Sequence, residues 1–272
     1  MTGPARAHPF GRTGRVSSDD FPQSVIEGDH VTTTPALSVA GVSFSVGAAR
    51  ILTNVSLDVA PGETLCVIGP NGAGKTTLMN TISGTVRPQS GTITLLGQDI
   101  SRMRPHQRTR HGLGRTFQTS YLFNELSVED NLQLADRAPR GTRGGDARPA
   151  VDDALAQVGL GGRGSAQVGS LSHGERRKVE IAMALVSDAE VLLLDEPMAG
   201  VSAEDVPDLV EIIRVYARGG RSIVLVEHHM DVVLDLADRV AVLHHGETLA
   251  VGTPDDVMAD EQVQVAYMGE EL

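Results

Sequence analysis

The segment Gly69-Pro70-Asn71-Gly72-Ala73-Gly74-Lys75-Thr76-Thr77 combines a glycine-rich backbone with a lysine and two hydroxyls, in the spacing of a phosphate-binding loop. Glycines let main-chain N–H groups converge on phosphate oxygens, and a following helix adds the partial positive charge of its N-terminus. Lys75 is placed to reach the terminal phosphates of a nucleotide, and Thr76 to offer its hydroxyl to Mg2+. A glycine-rich turn with a surface lysine would have the same composition, so the reading needs a strand before the loop and a helix after it.

A second constellation, Val191-Leu192-Leu193-Leu194-Asp195-Glu196, is an apolar strand ending in two carboxylates. Such a strand, buried in a parallel sheet, delivers its polar end to the ligand-binding edge. Asp195 would there hold Mg2+, directly or through water, and Glu196 would polarise the water that attacks a γ-phosphate. Taken alone, the pair could equally be helix-capping or surface acids. A third segment, Leu171-Ser172-His173-Gly174-Glu175, followed by Arg176, Arg177 and Lys178, has the form of a capping box, with Ser172 at the cap and Glu175 three residues on.

These groups need a scaffold, and hydropathy patterning supplies one. Alternation over Leu37 to Val46 and Val55 to Val59 predicts antiparallel strands, and Pro61-Gly62 turns the chain into a strand from Thr64 to Ile68. A helix from Lys75 to Ser83 and a strand from Thr92 to Leu96 follow, the latter ending at the turn Gly97-Gln98-Asp99. The middle reads as helical, at Val128 to Ala135, Val151 to Val158 and Glu175 to Val186, with an exposed loop from Pro139 to Pro149. From Val191 onward strands and helices alternate: Val191 to Leu194, helix Glu204 to Ala217, strand Ser222 to Val226, helix Met230 to Leu236 and strand Arg239 to Leu243. Alternation of this kind predicts a mainly parallel sheet covered by helices.

The 272 residues suffice for one large α/β core with an attached subdomain, at 40% hydrophobic and 21% charged residues. No apolar run approaches the ~20 residues that span a bilayer. Residues 1–35 lack sustained apolar periodicity and read as a flexible tail without a secretory signal pattern. A net charge of −12 opposes a non-specific grip on nucleic acid. The run from Arg102 to Arg115 is basic and reads as a solvated or ion-paired face, or else as a surface for an acidic partner. The single cysteine, Cys66, falls within the apolar strand and reads as core packing.

In this order of motifs the chain resembles the ABC ATPase family, whose signature LSGGQ stands here as LSHGE shortly before the Walker B strand. The resemblance covers residues 37 to 269. Gln118, in Thr116-Phe117-Gln118, is similar to the Q-loop glutamine that contacts Mg2+ in the family and reports nucleotide state to the membrane partner. His228, in Val226-Glu227-His228-His229, resembles the switch histidine that contacts the γ-phosphate. The fold implied is an α/β P-loop ABC ATPase, with a mainly parallel core sheet, an N-terminal antiparallel β layer and a helical signature subdomain at about 119–188. The ATPase domain would span 36–269, leaving 270–272 as a short end.

By the same resemblance, two ATPase subunits, identical or homologous, sandwich two ATP molecules with their Mg2+. Each nucleotide is held by the phosphate loop of one chain and the LSHGE segment of the other, so Ser172, Gly174 and Glu175 serve the partner's nucleotide. Three features depart from the family pattern. Val46 stands where an aromatic usually stacks on adenine, with Phe44 two residues earlier on the same strand face. His173 and Glu175 replace a glycine and a glutamine of the signature, and Ser202 stands where many relatives have an aspartate in the D-loop.

The stretches FQTSYLF, LSHGERRKVEIAMAL, DEPMAGV, VEHHMDVV and AYMGEEL are similar to ATPases of branched-chain amino acid importers and their urea and amide relatives. This implies an ATP-hydrolysing subunit, peripheral on the cytoplasmic face of the cell membrane, working with two membrane-spanning permease subunits and indirectly with an extracytoplasmic solute-binding protein. The competing reading is a soluble ABC ATPase acting on ribosomes or DNA. Those proteins commonly carry two fused ATPase units, coiled coils, zinc sites or basic arms, none of which is in this sequence.

Overall fold

The computed structural model describes residues 34–116, 122–136 and 151–268. The tail over 1–33, the loop Pro139 to Pro149, the glutamine at 118 and the end 270–272 lie outside the described residues. β1 (Leu37–Val46) and β2 (Ala49–Val59) form an antiparallel hairpin, the second strand beginning six residues before the alternation that predicts it. β3 (Thr64–Ile68) leads through the glycine loop into α1 (Lys75–Ser83), both with the expected bounds. β4 (Ser90–Leu95) returns to pair antiparallel with β1, and the short β5 (Gln98–Asp99) adds to it, completing a sheet in the order β2-β1-β4-β5.

Next come α2 (Pro105–Arg110), β6 (Leu113–Arg115), α3 (Val128–Asp136), α4 (Val151–Gln157) and α5 (His173–Val186). β7 (Val191–Asp195), α6 (Val206–Arg218), β8 (Ser222–Val226), α7 (Met230–Leu236) and β9 (Arg239–His244) follow the alternating pattern of the sequence. β10 (Glu247–Gly252), α8 (Pro254–Ala259) and α9 (Glu261–Met268) close the described chain. The main sheet has the order β10-β9-β3-β8-β7-β6, and all its pairings are parallel except that of β10 with β9.

The two faces of this sheet feed two cores, and the period-2 alternation of side chains decides which residue goes where. Leu65, Val67, Val191, Leu193, Val224 and Val226 point to the side covered by α1 and the antiparallel sheet. Cys66, Ile68, Leu192, Leu194, Ile223 and Leu225 point to the side covered by α5, α6 and α7. A strand buried on both faces reads as a continuous apolar run, which is why Val191 to Leu194 carries no alternation in sequence. Each such side chain stabilises the fold by about 1.5–3 kcal/mol relative to exposure. Cys66 is fully buried and burial pushes its thiol pKa up, so it packs and does not react.

α2 and β6 fall inside the basic run, and that run is not a uniform solvated face. Arg108 is 1% exposed and its guanidinium donates to the carbonyls of Thr81 (2.7 Å) and Ile82 (2.6 Å), at the C-terminal end of α1, and to those of Met103 and Ser101. Burial pushes its pKa down to about 10. It caps the helix that starts at the phosphate loop.

Candidate active site

The sheet order places the site. β3, β8, β7 and β6 are neighbours running in parallel, so the residues that follow their carboxyl ends emerge along one edge. The glycine loop leaves β3, Glu227 and His228 leave β8, and Asp195 and Glu196 stand at the end of β7. β6 ends at Arg115, three residues short of the glutamine at 118, which itself lies outside the described residues.

Within the loop, Gly69 has φ 146° and a Cβ there would meet the Leu243 carbonyl oxygen at 2.0 Å. Pro70 and Ala73 are buried, Asn71 and Gly72 are exposed, and Gly74 takes φ 101° as the residue that opens α1. Lys75 is 6% exposed and its Nζ donates to the carbonyls of Gly69 and Pro70, the latter at 2.8 Å. The ammonium is thus held over its own loop. Thr76 is exposed and Thr77 half-buried in the first turn of α1.

Asp195 is 1% exposed, and Arg115 donates to its Oδ2 at 3.2 Å. Burial raises the Asp195 carboxyl pKa above its ordinary value, and the Arg115 charge pulls it part of the way back. Among the described residues its Oδ1 has no hydrogen-bond partner, which leaves one buried carboxylate oxygen facing a place suited to a cation or its water. Among the described residues no group of three or more His, Cys, Asp or Glu could hold a metal by itself. An ion here would depend on the phosphates of a bound nucleotide for further ligands.

Glu196 adopts φ 48°, a left-handed conformation rare outside glycine that costs on the order of 1 kcal/mol. Its N–H donates to the Val226 carbonyl at 2.9 Å, which anchors the turn to β8. Its Oε1 lies 2.9 Å from His228 Nε2. The two residues that the sequence singles out separately, 32 positions apart, meet at one point.

Ser172 is the N-cap of α5. Its Oγ accepts from the Glu175 N–H at 3.2 Å, while Glu175 Oε2 accepts from the Ser172 N–H at 3.0 Å. Glu175 also pairs with Arg163 at 2.9 Å. Gly174 is buried against Asp205, whose Oδ2 would lie 2.9 Å from an added Cβ, and Ser202 Oγ donates to the same oxygen at 2.8 Å. Ser202 thus holds the Asp205 carboxylate that lies against Gly174 at the start of α5.

A family model described as "ABC transporter" matches residues 52–199, and a second, "Branched-chain amino acid ATP-binding cassette transporter", matches residues 247–272. The high-affinity branched-chain amino acid transport ATP-binding protein LivG of Escherichia coli K12 is 36% identical over 251 residues, spanning 87% of this chain and 98% of that protein. The chain belongs to the ABC transporter ATP-binding family. This ABC ATPase is also 34% identical over 236 residues to the lipopolysaccharide export ATP-binding protein LptB of Haemophilus influenzae, spanning 87% of this chain and 98% of that protein. Its fold matches a solved ATP-binding cassette of an ABC transporter in the ADP conformation, with TM-score 0.77 and 28% identity over 88% of this chain and 100% of the other. ATP binding and hydrolysis are therefore the activity of this ABC ATPase.

Sequence reasoning did not find Arg115 or Glu227. Besides Asp195, Arg115 reaches Asn80 Oδ1 (2.8 Å) and Ser83 Oγ (2.7 Å) of α1. Its position in a basic run hid this role, because the pattern does not distinguish Arg115 and the buried Arg108 from the exposed Arg102, Arg104 and Arg110. Phe44 and Val46 also part company. A register irregularity falls between Phe44 and Ser45, Phe44 packs against the core, and Val46 is 62% exposed.

Proposed function

We propose that this ABC ATPase energises the uptake of a polar solute, a branched-chain amino acid or a relative such as urea, as a peripheral subunit on the cytoplasmic face of the membrane. The observation that carries the catalytic part is the 2.9 Å contact between Glu196 Oε1 and His228 Nε2, one residue beyond Asp195. Glu196 accepts a proton from the attacking water, and His228 orients Glu196 and lies toward the γ-phosphate. The loop Gly69, Pro70, Asn71, Gly72, Ala73, Gly74 wraps the phosphates, with N–H groups from its residues other than Pro70, and Lys75, Thr76 and Thr77 complete the grip. Mg2+, when bound, supplies charge neutralisation of the β- and γ-phosphates. Thr76, Gln118 and the open oxygen of Asp195 would hold it.

Ser172, Gly174 and Glu175 lie at a helix N-terminus, suited to an anion, and serve the nucleotide of a second ATPase subunit in a sandwich dimer. The importer reading is supported by the match of the C-terminal branched-chain amino acid model to residues 247–272 together with the likeness to LivG, and these outweigh the lower identity to LptB, a protein of an export system. Two permease subunits would dock beside β6. There a cleft of about 310 Å³ lies between α2 and α5, lined in part by Pro105, Thr109, Leu122 and Met183, with Phe123 exposed nearby. A solute-binding protein outside the membrane would deliver the solute to them. No helix of the described residues is long and apolar enough to cross a membrane.

The test is Glu196→Gln. Turnover should fall by roughly 100-fold or more, while ATP binding persists and an ATP-bound dimer accumulates in size-exclusion chromatography. Near-normal turnover in that variant would overturn the role of Glu196. Copurification with two membrane proteins, rather than with ribosomes or DNA, tests the transport assignment.

A further inference from the structure

Glu227 is 2% exposed, just past the carboxyl end of β8, between the loop that follows Glu196 and the loop that carries His228. Its two oxygens are divided between these loops. Oε1 accepts from the Met198 N–H at 3.0 Å. Oε2 accepts from the His228 N–H at 2.9 Å and the His229 N–H at 3.2 Å, and lies 3.0 Å from His229 Nδ1.

Met198 is two residues beyond Glu196, and Glu196 Oε1 in turn meets His228 Nε2. The contacts therefore close a ring that runs from Glu196 through Met198, Glu227 and His228 back to Glu196. Sheet pairing ends at Asp195 and Val226, and the Glu196 N–H bond to the Val226 carbonyl is the last backbone link between the two strands. Beyond those residues each loop keeps torsional freedom that must be removed for two side chains to stay in contact.

We infer that Glu227 is a positioning residue, whose carboxylate pins both loops so that Glu196 and His228 are held together in the geometry that activates water. This role rests on the reading of Glu196 and His228 as the working pair. The carboxylate itself is required, because it has two acceptor oxygens where an amide has one acceptor and an NH2 donor. Glutamine at 227 would fill the same volume yet turn an N–H against the N–H of Met198 or against those of His228 and His229. A side chain that merely filled space would be replaced by glutamine without effect.

The experiment compares ATPase kinetics, ATP affinity by calorimetry and thermal unfolding for the full chain and for Glu227→Gln, His228→Ala and the double variant. Glu227→Gln should lower kcat by about 10–100-fold with KM and ATP affinity unchanged, as expected for a misplaced catalytic group. In the His228→Ala background it should cause no further loss, since the strut acts through that pair. Full kcat in a folded Glu227→Gln protein, or losses that multiply independently in the double variant, would overturn the strut alone. Full turnover in His228→Ala would overturn the working pair and this role with it. If the glutamine variant does not fold, Glu227→Asp keeps both oxygens on a stem too short to span the loops. It should show the same fall in kcat at unchanged KM, and full kcat there would overturn the role.

Discussion

Arg115 and Asp195 are joined at 3.2 Å from the end of β6 to the end of β7, with side chains only 7% and 2% exposed. The same guanidinium bonds Asn80 and Ser83, so one side chain ties the helix after the glycine loop to the carboxylate proposed to hold Mg2+.

Removing Arg115 leaves a buried carboxylate without its cation. Arg115→Met should lower stability by roughly 3 kcal/mol in urea unfolding, a magnitude typical of half-broken buried pairs. Adding Asp195→Asn should restore much of that loss, because the uncompensated charge is gone. Equal stability of Arg115→Met and the native chain would show that the pair is not coupled to folding.

Lys75 already points into the loop, where it bonds the carbonyls of Gly69 and Pro70. Lys75→Ala should weaken ATP binding by about 10–100-fold, the worth of charge-assisted hydrogen bonds to phosphate. Calorimetric titration with ATP and with ADP checks this, and an unchanged affinity would contradict the grip assigned to the ammonium.

The glycines of the loop are not equivalent. At Gly69 an added Cβ would come within 2.0 Å of the Leu243 carbonyl oxygen, whereas at Gly72 nothing lies within 4 Å and only φ 79° resists substitution. Gly72→Ala should cost about 1–2 kcal/mol from backbone strain alone. Gly69→Ala should cost more, because backbone cannot give way as a flexible side chain would. Thermal unfolding of the two variants should therefore rank Gly69→Ala lower.

Glu63 gives a pH signature at the opposite edge of the sheet. Burial raises its carboxyl pKa above the ordinary 4.5, with the Ala60 N–H and Arg239 pulling it back in part. The folded state then holds this proton more tightly than the unfolded chain. The resulting stabilisation is complete below 4.5 and is lost as pH rises through the raised value. The stability of the native chain relative to Glu63→Gln should accordingly fall as pH rises above 4.5 and through the raised pKa, followed by denaturant midpoints at each pH. A constant difference across that window would remove Glu63 from the account.

The strongly patterned elements were legible because their patterns have one solution. β3, α1, β8 and α7 appear with the bounds their residues predict, since apolar strands between turn signals and a glycine loop opening a helix leave little choice. α2, β6 and the C-terminal β10, α8 and α9 were not, because few of their residues are buried and no apolar period stands out. At the site, residues that announce chemistry by motif were readable, down to the capping box of Ser172 and Glu175. Arg115 and Glu227 were not, because their partners lie 80 and 29 residues away and nothing local marks them.

The run of residues 198–205 begins where Met198 is anchored on Glu227 and ends where Asp205 lies against Gly174. In the proposed dimer this makes it a shared hinge pin, since one end sets the chain's own water-activating corner and the other sets the helix start lent to the opposite nucleotide. A substitution that moves this segment registers at both nucleotides together. Neither site can then be retuned in isolation, and pairs of changes drawn from the two ends should depart from additivity even when no atom of one touches the other.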